Sequence, residues 1–511
     1  MVATPALAPI PNRPLDPIWS IDRYALPITT TTPHEAMVED LLFIRDVLDT
    51  AGIAYTLIRE EGDRPCLAVD RADRKILEAS LASACSGQPF YSKTLGKKGL
   101  RPVLVADGRL SRMRKARAFR LYRPRVEPVS GLRYGASSGV GIELWRRRGD
   151  ELELPGANAL TRNTVLRSEL VSTTVERYGR VWPTIEGMFD AHPSGLPFEI
   201  DLVFSWVDGS SKTFQAKRAK LMQSYVVGEG DDSPARYRQI NELKYALRSV
   251  NMYAPWVRRI FVATDSDRPE WLADDDRVTF VRSEEFFADQ SMLPTHNSQA
   301  VEAQLHRIPG LAEHFVYSND DMFFGRSVDP QVFFSPAGVS KFIESDIRIG
   351  LGPNHSERSG FENSARVNRG LLRKRFGVTI THHLEHAPAP LRRSIVAEME
   401  REFDTEFMAT AGSPFRAVDN ISVTNSFYHY YALLTGRAVQ QQSARVNYVD
   451  TTTHSGLREL DTLLAKRKTD FICLNDGSAP EVDLEVRTAK VTQFLDHYYP
   501  IPAPWETAYP R

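Results

Sequence analysis

Two short clusters of acidic and amide side chains each follow an apolar run in the middle of the chain. Asp208 follows the first run, and Asn319, Asp320 and Asp321 follow the second. Carboxylate oxygens are the ligands that hard divalent cations prefer, and Mg²⁺ usually keeps its remaining positions for water or phosphate. Asp and Asn are also common turn residues. The adjacent aspartates therefore predict either a plain turn or a Mg²⁺ or Mn²⁺ site that receives a diphosphate.

A histidine cluster offers a second kind of chemistry. Residues 382–386 read HHLEH and contain H-x-x-E-H, an inverted zinc-peptidase signature that requires a helix. Pro388 and Pro390 follow at once and disfavour a helix there, and residues 378–381 read as a strand. The pattern favours His386 as a lone general base over a zinc ligand, with a surface turn histidine as the remaining alternative.

Arg416 lies in the segment SPFRAVDN, after a stretch rich in glutamate. A salt bridge to Asp419 or Glu402 is one interpretation. A clamp on a phosphate group is the other, because the guanidinium fork matches phosphate geometry. The arginine alone does not decide between them.

The acidic clusters belong to a segment in which strands and helices alternate. Residues 200–206 form a nearly continuous apolar run, which is typical of a buried parallel strand. Further elements are predicted as strands over 259–264, 277–281 and 315–318 and as helices over 240–252 and 298–306. This alternation predicts an α/β fold with a mostly parallel sheet and flanking helices. Ligands of such folds bind outside the carboxyl ends of the strands, where both clusters are expected.

Composition excludes several classes of protein. The 511 residues include 64 Lys and Arg against 65 Asp and Glu, for a net charge of −1, so a broad nucleic-acid surface is not expected. No run of about 18–20 apolar residues occurs, which predicts at most a peripheral membrane association. Cys66, Cys85 and Cys473 form no disulfide framework, and the N-terminus does not resemble a signal peptide. A cytoplasmic location is predicted, with docking at the inner face of the membrane left open.

Four parts of the chain are predicted. Residues 1–32 form an irregular lead-in, 33–175 a smaller N-terminal α/β domain, 176–198 a proline-containing linker and 199–511 the catalytic domain. Residues 110–126 are strongly basic, and we interpret them either as a solvated face or as a contact for an anionic partner.

Three segments carry a resemblance to a known family: IDLVFSWVDGS, INELKYALRSVNMYAPWVRRIFVATDSDRPEWL and LPTHNSQAVEAQLHRIPGLAEHFVYSNDDMFFG. They are similar to the Stealth family of phosphotransferases, whose bacterial members make capsular or exopolysaccharides. The animal relative is the N-acetylglucosamine-1-phosphotransferase that tags lysosomal enzymes. The family's four conserved blocks correspond here to 199–226, 236–341, 363–437 and 470–505, somewhat over half of the chain.

The resemblance implies transfer of a hexose 1-phosphate from a UDP-sugar donor to a hydroxyl of a polysaccharide or oligosaccharide acceptor, with release of UMP. It also implies a core like that of the nucleotide-sugar (GT-A-like) transferases, with bound Mg²⁺ or Mn²⁺. The residues it assigns are His386, Arg416 and Asp320 for catalysis, Asp208, Ser298, Glu302 and Asn319 for substrate binding, and Asp321, Asn475 and Asp476 for the metal. His382 and His383 stay open as alternatives for the base.

Two other functions remain compatible with the sequence. A conventional metal-dependent glycosyltransferase would use the same donor but attack the anomeric carbon and release UDP. A non-catalytic sugar-nucleotide-binding protein would bind the donor without turnover. The hexose, the acceptor and its linkage position, the role of the N-terminal domain and the formation of a homo-oligomer are not determined by the sequence.

Overall fold

The computed structural model describes residues 18–20, 23–60, 64–97, 99–222, 239–477 and 480–507. The chain divides into two compact units, Met1–His192 and Pro193–Arg511. This division falls inside the segment predicted as a linker, but that segment is not a linker from its start. It begins within an antiparallel hairpin of the first unit, formed by Ser172–Arg177 and Arg180–Ile185. Trp182 anchors the hairpin because its side chain is completely buried in the core of that unit.

The described residues of the first unit form mixed sheets and two α-helices. Its strands are β1 (Ile18–Ser20), β2 (Arg23–Pro27), β3 (Tyr55–Arg59), β4 (Pro65–Asp70), β5 (Tyr91–Thr94), β6 (Val103–Leu104), β7 (Ala118–Tyr122), β8 (Arg125–Val126), β9 (Arg133–Tyr134), β10 (Val140–Arg148), β11 (Glu151–Glu153), β12 (Thr164–Leu166), β13 (Ser172–Arg177) and β14 (Arg180–Ile185). Its helices are α1 (Pro33–Thr50) and α2 (Arg74–Ala84). β4 pairs in parallel with β10, and both helices pack on the sheet through apolar faces. β1 and β2 fall within the predicted lead-in, and the rest of its first 22 residues lies outside the described ranges.

The basic segment 110–126 is not the uniformly solvated face that its composition predicts. Arg120 is buried and donates to Glu60 at 2.7 Å. Arg123 and Arg125 donate to the fully buried carboxylate of Asp40 at 2.7 and 3.1 Å. Arg120 lies in β7, Arg125 in β8 and Arg123 between the two strands, and the last two arginines bind Asp40 of α1. The basic side chains of the segment that stay exposed are Arg112, Arg114 and Lys115.

The second unit contains the remaining elements. Its strands are β15 (Ile200–Ser205), β16 (Ile260–Ala263), β17 (Val278–Val281), β18 (His314–Asn319), β19 (Met322–Phe324), β20 (Ser340–Phe342), β21 (Glu344–Arg348), β22 (His382–Leu384), β23 (Ala389–Arg392), β24 (Ala438–Gln440), β25 (Val446–Asp450) and β26 (Phe471–Asn475). Its helices are α3 (Lys212–Met222), α4 (Glu242–Tyr253), α5 (Ser283–Phe286), α6 (Ser298–Glu302), α7 (Gly360–Phe376), α8 (Arg393–Glu402), α9 (Asp404–Ala411), α10 (Tyr428–Leu434), α11 (His454–Lys466) and α12 (Leu484–Tyr498).

The central sheet of this unit has the strand order β17-β16-β15-β18-β23. The first four strands run parallel, and β23 joins the edge antiparallel. A smaller sheet, β19-β26-β25, combines one antiparallel and one parallel pairing. The predicted α/β class with flanking helices is confirmed, while the sheets as a set are mixed. The helix predicted over 298–306 is shorter, because α6 ends at Glu302 and a separate 3₁₀ turn follows at Leu305–Arg307.

Two further predictions concern membrane-spanning helices and disulfide bonds. Within the described ranges, we find no helix whose length and apolar character would let it cross a membrane. The three cysteines are buried and unpaired.

Candidate active site

The carboxyl ends of three parallel strands lie side by side. Ser205, the last residue of β15, pairs with Ala263 of β16 and with Asn319 of β18. The chain leaves β15 towards Asp208 and β18 towards Asp320. The two predicted acidic clusters therefore emerge from neighbouring strands at one edge of the sheet.

Asp208 closes its own turn. Its Oδ1 atom accepts hydrogen bonds from the backbone N–H and the hydroxyl of Ser210, at 3.0 and 2.6 Å. Its backbone N–H donates to Ser266 Oγ at 2.8 Å. The structure thus gives this carboxylate a turn-forming contact, and its substrate-binding role remains a prediction.

The adjacent carboxylates Asp320 and Asp321 repel each other. Loss of hydration on burial, followed by the negative charges of Asp321 and Glu242, raises the pKa of Asp320 well above its usual range. The backbone carbonyl of Asp321 accepts a hydrogen bond from Leu474 at 3.0 Å, and Cys473 Sγ lies 3.8 Å from Asp321 Oδ2. The pairing of β19 with β26 therefore brings the C-terminal part of the chain to the aspartate pair.

The residues at the end of β26 have partners of their own. Asn475 Nδ2 donates to the Tyr448 hydroxyl at 2.5 Å, which leaves its amide oxygen as the atom that would bind a cation. Thr451 donates a hydrogen bond to the carboxylate of Asp476, and Arg487 Nη1 lies 3.9 Å from that carboxylate. Asp476 therefore lies beside a cationic side chain, and its role as a metal ligand remains a prediction.

Asp450 is a carboxylate at this edge that the sequence analysis missed. It pairs with Asn475 in the parallel register of β25 and β26. Its Oδ1 atom accepts from the backbone N–H groups of Thr452 and Gly477, at 3.0 and 3.2 Å. A side chain on Gly477 would fill the space of this carboxylate, since its Cβ would lie 2.5 Å from Asp450 Oδ2. The segment YVDTTTH contains no metal or catalytic pattern that would have singled Asp450 out.

The implied Mg²⁺ site would rest on two carboxylates, those of Asp320 and Asp321. Among the residues that the structure describes, no group of three or more His, Cys, Asp and Glu side chains could hold a metal ion. The raised pKa of Asp320 nevertheless reflects burial together with the negative charge of the adjacent Asp321. A hard cation held by two carboxylates, with its other positions filled by substrate oxygens and water, suits that pair.

Arg416 bonds to Ser298 and interacts electrostatically with Glu302. Its Nη2 atom donates to Ser298 Oγ at 2.9 Å. Burial raises the pKa of Glu302, while the hydrogen bond from Thr424 and the positive charge of Arg416 oppose that rise. The N-cap of α6, Asn297, ties the two segments together by donating from Nδ2 to the carbonyl of Phe415 at 3.2 Å. Glu402, one of the predicted alternative partners of Arg416, binds Arg375 and the Tyr431 hydroxyl.

A buried hydroxyl network holds Glu302 and Asn319. Thr424 Oγ1 donates to Glu302 Oε2 at 2.6 Å, and the Tyr317 hydroxyl donates to Asn319 Oδ1 at 2.8 Å. Thr424 lies in a single π-helical turn, Val423–Phe427. Such turns often occur at functional sites, but hydrophobic periodicity does not reveal them. This explains why the sequence analysis did not find Thr424.

His386 lies between two aromatic rings. Its ring centroid is 6.0 Å from that of Phe361 and 5.0 Å from that of Tyr448. Burial, followed by the charge of His383, lowers the pKa of His386 below its ordinary value. A neutral imidazole at neutral pH is the form that can accept a proton.

The neighbouring histidines have different surroundings. His382–Leu384 is strand β22, so the zinc-peptidase alternative lacks the helix that would bring two histidines to one face. His382 Nδ1 lies 3.6 Å from Glu344. His383 is buried, and its ring stacks on Phe361 at 4.6 Å.

The start of α7 connects the arginine with the histidine. A Cβ added to Gly360 would lie 2.5 Å from Arg416 Cδ, so only glycine allows this approach. The next residue, Phe361, contacts His386. One helix start therefore supports both candidate groups.

An arginine for phosphate, a histidine for the proton and carboxylates for a divalent cation are groups that enzymes of phosphoryl transfer, the phosphotransferases, use. The chain is such a phosphotransferase, and it belongs to the Stealth family. The family models match conserved region 1 at residues 198–226, region 2 at 236–342, region 3 at 385–433 and region 4 at 461–511. The first two blocks agree with the sequence analysis within one residue, whereas region 3 begins later than predicted and region 4 earlier.

Relatives cover nearly the whole chain. Exopolysaccharide phosphotransferase CpsY of Mycobacterium tuberculosis (strain CDC 1551 / Oshkosh) is 57% identical, over 93% of this chain and 89% of the relative. An exopolysaccharide phosphotransferase of Nocardia farcinica is 51% identical, over 92% and 88%. Exopolysaccharide phosphotransferase SCO6023 of Streptomyces coelicolor is 35% identical, over 95% and 85%.

Among solved structures, galactosyltransferase LgtC in complex with donor and acceptor sugar analogs covers 61% of this chain and 98% of its own. The identity is 13% and the TM-score 0.30. An active-site mutant of LgtC, with the same coverage, gives an identity of 12% and a TM-score of 0.32. At this level of similarity, no property of LgtC is transferred to this chain.

Proposed function

We propose that the chain transfers a hexose 1-phosphate from a UDP-sugar to a hydroxyl of an exopolysaccharide acceptor and releases UMP. The family membership and the names of the relatives support a sugar phosphotransferase. The identities of the donor, the leaving group and the acceptor are part of the proposal and do not follow from the family or from those names.

The observation that carries the proposal is that side chains suited to three chemical tasks lie in one region of the fold. Arg416 bonds to Ser298 at the start of α6, while Asp321 and Asn475 lie at paired strand ends. Tyr448 contacts both Asn475 and His386. A phosphoryl transfer needs positive charge on the phosphate, a proton acceptor for the attacking hydroxyl and a means to neutralise a diphosphate.

The acceptor hydroxyl is the nucleophile of the proposed step. The acceptor oxygen attacks the phosphorus that bears the sugar, and a new phosphorus–oxygen bond forms. The bond from that phosphorus to the bridging oxygen breaks, and UMP leaves with the electron pair. His386 takes the proton of the attacking hydroxyl, which its lowered pKa allows near neutral pH. Arg416 would bind the non-bridging oxygens of the transferred group.

Asp320 and Asp321 would hold the divalent cation, with the amide oxygen of Asn475 as a further ligand. The cation, when bound, supplies charge neutralisation for the diphosphate. The buried carboxylate of Glu302 interacts electrostatically with Arg416 and would help to hold it in place.

We further propose a cytoplasmic location. The exposed cations Arg112, Arg114 and Lys115 are the part of the basic segment available for a peripheral membrane contact.

A nucleotide-release assay tests the proposal. Purified protein is incubated with a panel of UDP-sugars, Mg²⁺ and an exopolysaccharide acceptor, and the nucleotide products are separated. We expect UMP and a phosphodiester-linked product. Release of UDP would instead identify a conventional glycosyltransferase, and donor binding without turnover would identify a binding protein.

A further inference from the structure

Tyr448 contacts two groups of the candidate site that lie in different family regions. Its ring meets the ring of His386 at a centroid distance of 5.0 Å and an interplanar angle of 55°. Its hydroxyl oxygen accepts the hydrogen bond from Asn475 Nδ2 at 2.5 Å. The residue itself lies between region 3, which ends at 433, and region 4, which begins at 461. No family match assigns it a role.

Strand pairing fixes where Tyr448 lies. It pairs with Cys473 in the parallel register of β25 and β26, and Cys473 pairs with Met322, the residue after Asp321. Tyr448 therefore lies in the small sheet whose strand β19 begins directly after the aspartate pair. With 43% of its surface exposed, the ring also borders solvent beside His386.

His386 depends on rings for its orientation. Within the described parts of the chain, no side chain forms a hydrogen bond with its imidazole, and its aromatic contacts are Phe361 and Tyr448. A general base is usually oriented by a third group that bonds to its far nitrogen. Here, packing between two rings takes that place.

We propose that Tyr448 is a positioning residue that holds the imidazole of His386 and the amide of Asn475 in a fixed relation. The ring would orient the base towards the acceptor hydroxyl. The hydroxyl would orient the amide towards the donor diphosphate. The inference rests on the proposed function for the roles of His386 and Asn475, but the contacts themselves do not depend on it.

Two substitutions separate the two ends of the side chain. Tyr448→Phe keeps the ring and removes the hydrogen bond to Asn475, whereas Tyr448→Leu removes both. We expect Tyr448→Phe to raise the KM for the UDP-sugar and to keep kcat near that of the parent. Tyr448→Leu should also lower kcat, by about 10- to 100-fold, as supporting residues of active sites commonly do. Asn447→Ala is the matched control, because Asn447 is the neighbour on β25 and bonds to Glu459 on α11.

A second readout does not require activity. The ring protons of His386, assigned by comparison with His386→Ala, sense the ring current of Tyr448 in an NMR spectrum. We expect these signals to move in Tyr448→Leu and to stay near their parent positions in Tyr448→Phe and Asn447→Ala. Unchanged signals and kcat in Tyr448→Leu would overturn the inference, as would equal kcat losses in both Tyr448 variants. If the parent transfers no sugar phosphate, the proposed function fails, and the NMR comparison still decides whether the ring of Tyr448 contacts that of His386.

Discussion

Arg416 donates a hydrogen bond to Ser298 at 2.9 Å, across 118 positions of the chain. Ser298 belongs to conserved region 2 and Arg416 to region 3. Asn297 supports the same junction, because its amide bonds to Asn420 Oδ1 at 2.8 Å. The two regions therefore meet through polar contacts, and the hydrogen bond to Ser298 orients Arg416.

This contact predicts coupled effects of substitution. Arg416→Lys should lower kcat/KM by about 10²-fold or more, because a lysine cannot reproduce the guanidinium fork on a transferred phosphate. Ser298→Ala should cost about tenfold or less, since one hydrogen bond is worth about 1 kcal/mol. A double-mutant cycle on kcat/KM is the measurement. If Ser298 acts through Arg416, Ser298→Ala will have little further effect in the lysine background, whereas multiplicative losses would contradict this coupling.

Gly360 offers a steric test of the same group. In Gly360→Ala the new Cβ would meet Arg416 Cδ at 2.5 Å and Cβ at 2.8 Å, so the arginine or the helix start must move. We expect a lower kcat/KM and a loss of about 1–3 kcal/mol in the free energy of unfolding, as for other overpacked positions. Gly370→Ala is the control on the same helix, since its Cβ would meet no atom within 4 Å. The control should keep full activity and gain up to about 1 kcal/mol of stability.

Asp321 should be required for metal-dependent donor binding. Asp321→Ala removes one carboxylate of the pair and with it the charge that would attract the cation. We expect transfer to be abolished and Mg²⁺ to lose its effect on UDP-sugar affinity in calorimetry. Asp476→Ala should be milder, because Asp476 lies 3.9 Å from Arg487. Full transfer by Asp321→Ala in EDTA-treated buffer would end the metal assignment.

The sequence predicted the positions of the candidate residues that lie at the ends of buried strands. Asp208, Asn319 and Asp321 follow buried apolar runs, and parallel strands carry their ends to one edge. The α/β class and the positions of the four parallel strands β15 to β18 followed from the same runs. The local pattern was sufficient for these strands because they are short and apolar and lie next to one another in the sheet.

The sequence could not predict contacts that depend on distant pairing. Tyr448 reaches His386 because β25 pairs with β26, and β26 joins β19 although it lies far along the chain. Thr424 reaches Glu302 through a π-helical turn. The basic segment was misread for a related reason, since charge runs do not reveal a buried partner such as Asp40.

His429 predicts a dependence of stability on pH. Its side chain is fully buried, and burial lowers its pKa to about 3, whereas it returns to about 6.5 on unfolding. Below pH ~6.5 the unfolded chain binds a proton that the folded chain does not, so stability falls as pH falls towards 3. The slope is at most about 1.4 kcal/mol per pH unit. Denaturant unfolding of the parent and of His429→Gln, compared between pH 7.5 and 4.5, should show a shallower loss in the variant. Parallel curves would mean that His429 is protonated in the folded state.

The surroundings of the three histidines favour His386 as the base. His386 has its ring against Tyr448 at the acidic edge, whereas His382 lies 3.6 Å from Glu344 and His383 is buried on Phe361. We expect His386→Ala to lose about 10²–10⁴-fold in kcat, the usual effect of removing a general base, while UDP-sugar still binds.

His382→Ala should keep most of its turnover, and His383→Ala should lower the free energy of unfolding more than the rate of transfer. Because its pKa is lowered, His386 stays neutral below pH 6.5, so the acid limb of kcat/KM should fall below that value. The measurements are turnover, calorimetric donor binding and chemical unfolding for the three variants, with a pH–rate profile of the parent. Normal turnover in His386→Ala together with an inactive but folded His382→Ala would transfer the role of base to His382. Loss of donor binding in all three variants would show instead that the cluster supports the structure of the site rather than the proton transfer.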